Sequence, residues 1–103
     1  IVFNTIKHEE QENLLYYQVT NDVSLVHQML NALYQLKIQS VMVEGGAKLL
    51  QSFIDEGMWD EARVISNSQL VIGNGLKAPL LENAELIKEE KSGTDSIAYY
   101  KPI

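Results

Sequence analysis

The stretch that decides the fold is Ser40-Val41-Met42-Val43-Glu44-Gly45-Gly46-Ala47-Lys48-Leu49-Leu50. It opens with a continuous apolar run, which is typical of a parallel strand covered on both faces. Beyond the two glycines, apolar side chains recur at the spacing of one helix face, at Leu49, Leu50, Phe53 and Ile54. We therefore expect a central parallel strand over residues 41–43 and a helix over residues 46 to about 56 that packs on it.

Strand and helix patterns flank this stretch on both sides. Aliphatic and aromatic residues suited to strands occupy residues 1–4, 14–19 and 61–66, with a further possible strand at 70–72. Helical spacing covers residues 24–36, after turn and capping residues. Residues 84–90 and 96–101 predict a hairpin around residues 91–95, whereas residues 7–13 and 73–79 predict loops. The order predicts an α/β fold with two helices and a mixed sheet, parallel in the middle and antiparallel at its C-terminal end.

Composition limits the partners that this chain can have. The 103 residues carry a net charge of −6, which disfavours nucleic acid and anionic membrane surfaces because both require a basic face. No apolar run approaches the ~20 residues of a membrane span. The absence of cysteine excludes disulfides and zinc–thiolate sites, and we expect a cytoplasmic protein without a metal centre.

The junction at Gly45 and Gly46 is the best candidate for a binding site. Ligands in open α/β sheets bind beyond the carboxyl ends of strands, and a helix start offers unpaired N–H groups and a partial positive charge. Gly45, Gly46 and Ala47 could therefore cradle a dinucleotide phosphate. The alternative is a tight turn selected for packing, because two glycines are weaker than a complete dinucleotide fingerprint.

Glu44 places a carboxylate at the end of an otherwise apolar run. It could accept hydrogen bonds from sugar hydroxyls or ring N–H groups of a ligand. Equally, it could be a solvated strand end, or a charge favoured by the dipole of the next helix. His8 and His27 have no neighbouring serine or carboxylate spacing that would make them catalytic, so we assign no catalytic residue.

Three stretches together resemble one enzyme family. Residues 40–50 are similar to the strand–turn–helix of the reductase domain of bifunctional riboflavin-biosynthesis deaminase/reductases. Residues 51–61 resemble its continuation, in which the helix ends at a glycine and an acidic pair leads into the next strand. Gly73-Asn74-Gly75-Leu76-Lys77-Ala78-Pro79 resembles the loop that follows. The resemblance implies a dihydrofolate-reductase-like fold and NADPH-dependent reduction of a phosphorylated ribosylaminouracil to the ribitylamino product.

The resemblance also assigns roles to residues. It implies that the turn and the first helical turns contact NADPH, and these positions are Gly45, Gly46, Ala47, Lys48, Leu49 and Ser52. It implies that the glutamate before the glycines, Glu44, contacts the substrate. Dihydrofolate reductases share the fold but usually lack this glutamate, so Glu44 favours the pyrimidine reductase.

The family's reductase domain is about twice as long as this chain, and a zinc deaminase domain usually precedes it. We therefore expect residues 1–103 to be the C-terminal part of one reductase domain, with its first half and any deaminase upstream. We also expect a homodimer, because the outer strand of the C-terminal hairpin would expose Ile97 and Tyr99 along a free edge. The alternative function is a dihydrofolate-reductase-like or non-catalytic module that binds a nucleotide or mediates dimerisation.

Overall fold

The computed structural model describes residues 1–103 as two helices and six strands in two three-stranded sheets. The chain divides into two compact units, residues 1–43 and residues 44–103. The elements in chain order are β1 (Val2–Asn4), β2 (Glu9–Gln11), β3 (Leu14–Gln18), α1 (Leu25–Gln35), α2 (Ala47–Asp55), β4 (Ala62–Asn67), β5 (Ala84–Ser92) and β6 (Asp95–Pro102).

The sheet of the first unit has β3 at its centre. β1 pairs with β3 in parallel, and β2 pairs with its other edge antiparallel. Asn4 ends β1, and its side-chain oxygen accepts hydrogen bonds from the N–H groups of Ile6 (2.9 Å) and Lys7 (2.8 Å). An asparagine that bonds the backbone two and three residues onward closes a turn, and this turn sends the chain from β1 towards β2.

Helix α1 begins at a capping serine. The Ser24 hydroxyl accepts a hydrogen bond from the N–H of His27 at 3.3 Å, which satisfies one of the unpaired donors of the first turn. Val26 and Ala32 are its fully buried residues. The Gln28 side-chain amide bonds both the N–H and the carbonyl of Thr20, so it fixes the segment before the helix.

The sheet of the second unit has β6 at its centre, antiparallel to both β4 and β5. The hairpin β5–β6 turns through Gly93 and Thr94, and Gly93 has a φ of 61°. Positive φ at the first central residue is typical of type II′ hairpin turns and favours glycine there. Ala98 on β6 is the buried residue of this sheet.

Helix α2 follows the predicted boundaries within one residue. Gly46 is its N-cap, Glu56 is its C-cap, and Gly57 continues with a φ of 66°. A glycine in this left-handed conformation is a common helix stop because it has no Cβ to strain. Phe53 is the buried residue of the helix, whereas Leu49 is exposed.

The predicted strand over residues 41–43 is wrong. Residues 38–44 form neither strand nor helix, and the side chains of Val41 and Met42 are 52% and 81% exposed. A strand exists only through hydrogen bonds to a neighbouring strand, and neither free edge of the first unit's sheet pairs with these residues. The predicted packing of α2 on this strand is therefore also wrong.

Three further expectations need correction. The polar residues 9–11, predicted as loop, form β2 because they pair with the apolar β3. Residues 70–72, predicted as a possible strand, pair with no other strand. Ile97 and Tyr99 lie on the central strand β6 and not on an edge, because β4 covers its second side.

The fold class itself is confirmed. Two helices and mixed parallel and antiparallel strands are consistent with a dihydrofolate-reductase-like α/β fold, and the C-terminal hairpin is present as expected. Neither helix is long and apolar enough to cross a membrane.

Candidate functional site

The turn before α2 is built from two glycines in different conformations. Gly45 has a φ of 102°, which L side chains rarely adopt, whereas Gly46 has a φ of −58° and a ψ of 138°, which any residue adopts. The first helical hydrogen bond runs from the N–H of Leu50 to the carbonyl of Gly46 at 3.2 Å. The N–H groups of Ala47, Lys48 and Leu49 therefore have no partner within the helix.

No side chain closes this helix start. Gly46 supplies no capping oxygen, and a Cβ built on Gly45 or on Gly46 would meet no atom within 4 Å. Both glycines are exposed. Open space in front of unpaired N–H groups is the arrangement that lets an anionic group approach a helix start. The turn thus leaves room for an anionic group at the helix start.

The local charge is also favourable to an anion. The first turn of α2 contains no acidic residue, and it contains Lys48, which is exposed and belongs to none of the four ion pairs of the chain. Its ammonium group and the positive end of the helix dipole act in the same direction. The exposed carboxylate of Glu44, directly before the turn, offsets part of this positive charge.

The residues expected to contact the cofactor lie together in the first two turns of α2. Ala47 is half-buried, whereas Leu49 and Ser52 are exposed. The Ser52 hydroxyl donates to the carbonyl of Lys48 at 2.9 Å, so its proton is used within the helix and its oxygen remains an acceptor. Glu44 is exposed and makes no hydrogen bond or ion pair.

The structure shows one contact at this helix that sequence reasoning missed. The side-chain amide of Gln51 makes two hydrogen bonds to the backbone of Leu80, which lies in the connection between β4 and β5. No sequence signal identifies it, because a glutamine on an exposed helix position is ordinary and the two residues are 29 positions apart.

The first unit has a shallow depression of its own, also unforeseen. It lies at the carboxyl ends of the parallel strands β1 and β3 and has a volume of about 560 Å³. Its lining residues are Phe3, Asn4, Thr5, Ile6, Val19, Thr20, Asn21, Val23 and Leu25. The general preference of ligands for the carboxyl ends of parallel strands could have pointed to it.

A comparison with known families decides the assignment. The family model described as the RibD C-terminal domain matches residues 1–95. The chain belongs to the RibD C-terminal domain family. No curated protein matches the chain.

Membership of the RibD C-terminal family confirms the resemblance found at residues 40–79 and extends it in both directions. The match runs from β1 to the first residue of β6. The family consists of reductase domains of riboflavin biosynthesis, and these pyrimidine reductases typically use a nicotinamide cofactor. The Gly-Gly turn and α2 lie within the matched region.

Proposed function

We propose that the complete protein reduces 5-amino-6-(5-phosphoribosylamino)uracil to its ribitylamino product with NADPH as the reductant. The observation that carries this proposal is the start of α2: unpaired N–H groups, open space over two glycines and an unpaired lysine, all within the matched region of a reductase family. The family supplies the reaction class, and the turn supplies a place for a dinucleotide.

In this proposal the residues of α2 bind and orient the cofactor. The N–H groups of Ala47, Lys48 and Leu49 receive the pyrophosphate, and the Lys48 side chain adds a positive charge beside it. NADPH, when bound, supplies the hydride for the reduction. The protein's task is mainly to fix the geometry between the two reactants, because the cofactor carries the chemistry.

Glu44 is assigned to the substrate. Its carboxylate lies just before the cofactor turn, and no group of the protein uses its acceptor oxygens. A free carboxylate can accept hydrogen bonds from two sugar hydroxyls at once, and such charge-assisted bonds are stronger than neutral ones. Glu44 would therefore orient the ribosylamino chain that is reduced.

The test is an assay of the complete protein for NADPH oxidation with the aminouracil substrate. We expect oxidation of NADPH that depends on the presence of the substrate. Binding of NADPH without turnover would instead support the alternative, a non-catalytic nucleotide-binding module. Turnover with dihydrofolate in place of the aminouracil would support a dihydrofolate-reductase-like enzyme. The proposal includes a cytoplasmic location for the enzyme. It also includes a deaminase domain upstream of the reductase domain.

A further inference from the structure

The connection between β4 and β5 is long for a compact domain. It comprises residues 68–83, called here the 68–83 loop, and contains no helix or strand. Connections longer than about 12–15 residues without regular structure are uncommon, and they are usually either functional segments or disordered linkers. It exposes most of the side chains of Leu70, Val71, Ile72 and Leu76.

The 68–83 loop is held at few points. At its ends, Leu70 bonds the Asn67 side chain and Asn83 bonds the backbone of Ile103. Between these ends, the hydrogen bonds that reach another element of the fold are those between Leu80 and Gln51. Gln51 therefore fixes the position of the second half of the loop on α2.

The Gln51 amide bonds Leu80 as a neighbouring strand would. Its oxygen accepts from the N–H of Leu80 at 2.8 Å, and its nitrogen donates to the carbonyl of Leu80 at 3.2 Å. The same nitrogen donates to the carboxylate of Asp55 at 2.8 Å. Asp55 accepts only, so it fixes which end of the amide is the donor. Bonding both the N–H and the carbonyl of one residue requires a side chain with a donor and an acceptor side by side, which an amide provides.

Gln51 shares a face of α2 with the cofactor turn. Residues four apart lie one above the other on a helix, so Gln51 is stacked on Ala47 along the helix. One turn of helix spans about 5.4 Å. The two Gln51–Leu80 hydrogen bonds, called here the tether, thus hold the 68–83 loop one helical turn from Ala47, which the proposed function assigns to NADPH binding.

We propose that Gln51 is a positioning residue, which docks the 68–83 loop beside the NADPH-binding turn so that the loop and the cofactor stabilise each other. This inference rests on the proposed function. It predicts that loss of the tether weakens NADPH binding while the reduction step itself is little changed, because Gln51 touches the loop and not the reacting atoms.

Kinetics of the complete protein test the proposal first. Gln51→Met keeps side-chain length and helix preference but removes both bonds to Leu80. We expect the KM for NADPH to rise about three- to tenfold, the range given by loss of one or two ordinary hydrogen bonds, with kcat within about twofold. Leu80→Pro removes the N–H that donates to the Gln51 side chain, and it should raise the KM for NADPH in the same way. Gln35→Met is the matched control, since Gln35 is an exposed helical glutamine without a side-chain hydrogen bond.

Limited proteolysis tests the coupling directly. Lys77 lies in the 68–83 loop, so trypsin cleavage after Lys77 reports how well the loop is held. In the wild type, NADPH should slow this cleavage at least threefold. In Gln51→Met, cleavage should be faster than in the wild type without NADPH, and NADPH should protect little. A merely structural role would speed cleavage without removing the protection by NADPH.

The outcomes separate the two proposals. If the wild type turns over NADPH while Gln51→Met has an unchanged KM and full protection, the positioning role is overturned and the proposed function stands. If the wild type neither binds nor oxidises NADPH, the proposed function fails, and the positioning role fails with it. A raised KM together with lost protection supports the role.

Discussion

At the scale of single residues, Glu44 is a carboxylate without a hydrogen-bond or ion-pair partner in the protein. Its carboxylate is exposed, it has no ion-pair partner, and it lies two positions before the N-cap Gly46. The influence of the helix dipole falls off outside the first turn. Of the three interpretations that the sequence leaves open, this environment disfavours a structural charge at the helix start and is compatible with a ligand contact or a solvated carboxylate.

The variant Glu44→Gln tests this assignment. The amide keeps the shape but loses charge-assisted hydrogen bonds, which are worth about 1.5–3 kcal/mol. We expect kcat/KM to fall by roughly one to two powers of ten, at about 1.4 kcal/mol per tenfold. Thermal stability and NADPH affinity should not change. If stability drops by up to about 1 kcal/mol while turnover is intact, the substrate assignment is wrong.

Gly46 allows a second test at this scale because its backbone tolerates a side chain. A Cβ at Gly46 meets no protein atom, and its φ and ψ lie in the extended region. Gly46→Val should therefore fold normally and obstruct only a ligand that approaches the turn. We expect the dissociation constant for NADPH to rise more than about tenfold, which corresponds to about 1.4 kcal/mol. An unchanged titration would exclude the turn as the phosphate site. Gly45 is unsuitable for this test, since its φ of 102° would strain any substituent.

At the scale of elements, the hairpin β5–β6 carries a charged cluster around Tyr99. The Tyr99 hydroxyl donates to Glu90 at 3.1 Å, and the Lys88 ammonium lies 3.3 Å from the same carboxylate. The ammonium also lies 4.5 Å from the centre of the Tyr99 ring. These contacts hold the pKa of Glu90 below its usual value, with the tyrosine hydroxyl as the largest cause.

This cluster makes the hairpin sensitive to acid. A carboxyl group with a lowered pKa in the folded state contributes stability above its unfolded pKa and loses it as the pH falls through the folded pKa. Tyr99→Phe and Lys88→Met should each raise the pKa of Glu90, and each variant should lose less stability than the wild type on acidification. Carboxyl NMR titration of the three proteins measures both shifts. An unchanged pKa of Glu90 in either variant would exclude that side chain as a cause of the lowered pKa.

The accuracy of the sequence predictions also depends on the element. Both helices are predicted within one residue at each end, because apolar spacing and a glycine stop such as Gly57 are local signals that act on their own helix. The capping residue of the first helix is Ser24, whereas the sequence pattern predicts the capping residues before it. The hairpin is predicted because Gly93 marks its turn. Residues 41–43 fail because a strand depends on a neighbour, which an apolar run cannot show. The turn at Gly45 and Gly46 is predicted for the same local reason as the helices, whereas the Gln51–Leu80 contact is non-local.

At the scale of the whole molecule, the homodimer can no longer be argued from a free edge at Ile97 and Tyr99, because β4 pairs with that strand. The outer strand of the hairpin is β5, and it carries Glu85, Lys88, Glu89, Glu90 and Lys91 and an irregularity between Leu86 and Lys88. Charged side chains and bulges are devices that prevent pairing at a sheet edge. β5 is therefore a protected edge, and pairing through it is not expected.

Exposed apolar side chains elsewhere still support association. Val71, Ile72 and Leu76 in the second unit are between 83% and 94% exposed. Soluble monomers rarely expose large contiguous apolar patches. We expect the complete protein to have the mass of a homodimer by light scattering at tens of micromolar. Because apolar contacts are not screened, the dimer should persist at about 1 M salt, where the Debye length is only about 3 Å. Dissociation by salt would point to the charged strand β5 as the contact, and a monomer at low salt would refute the dimer.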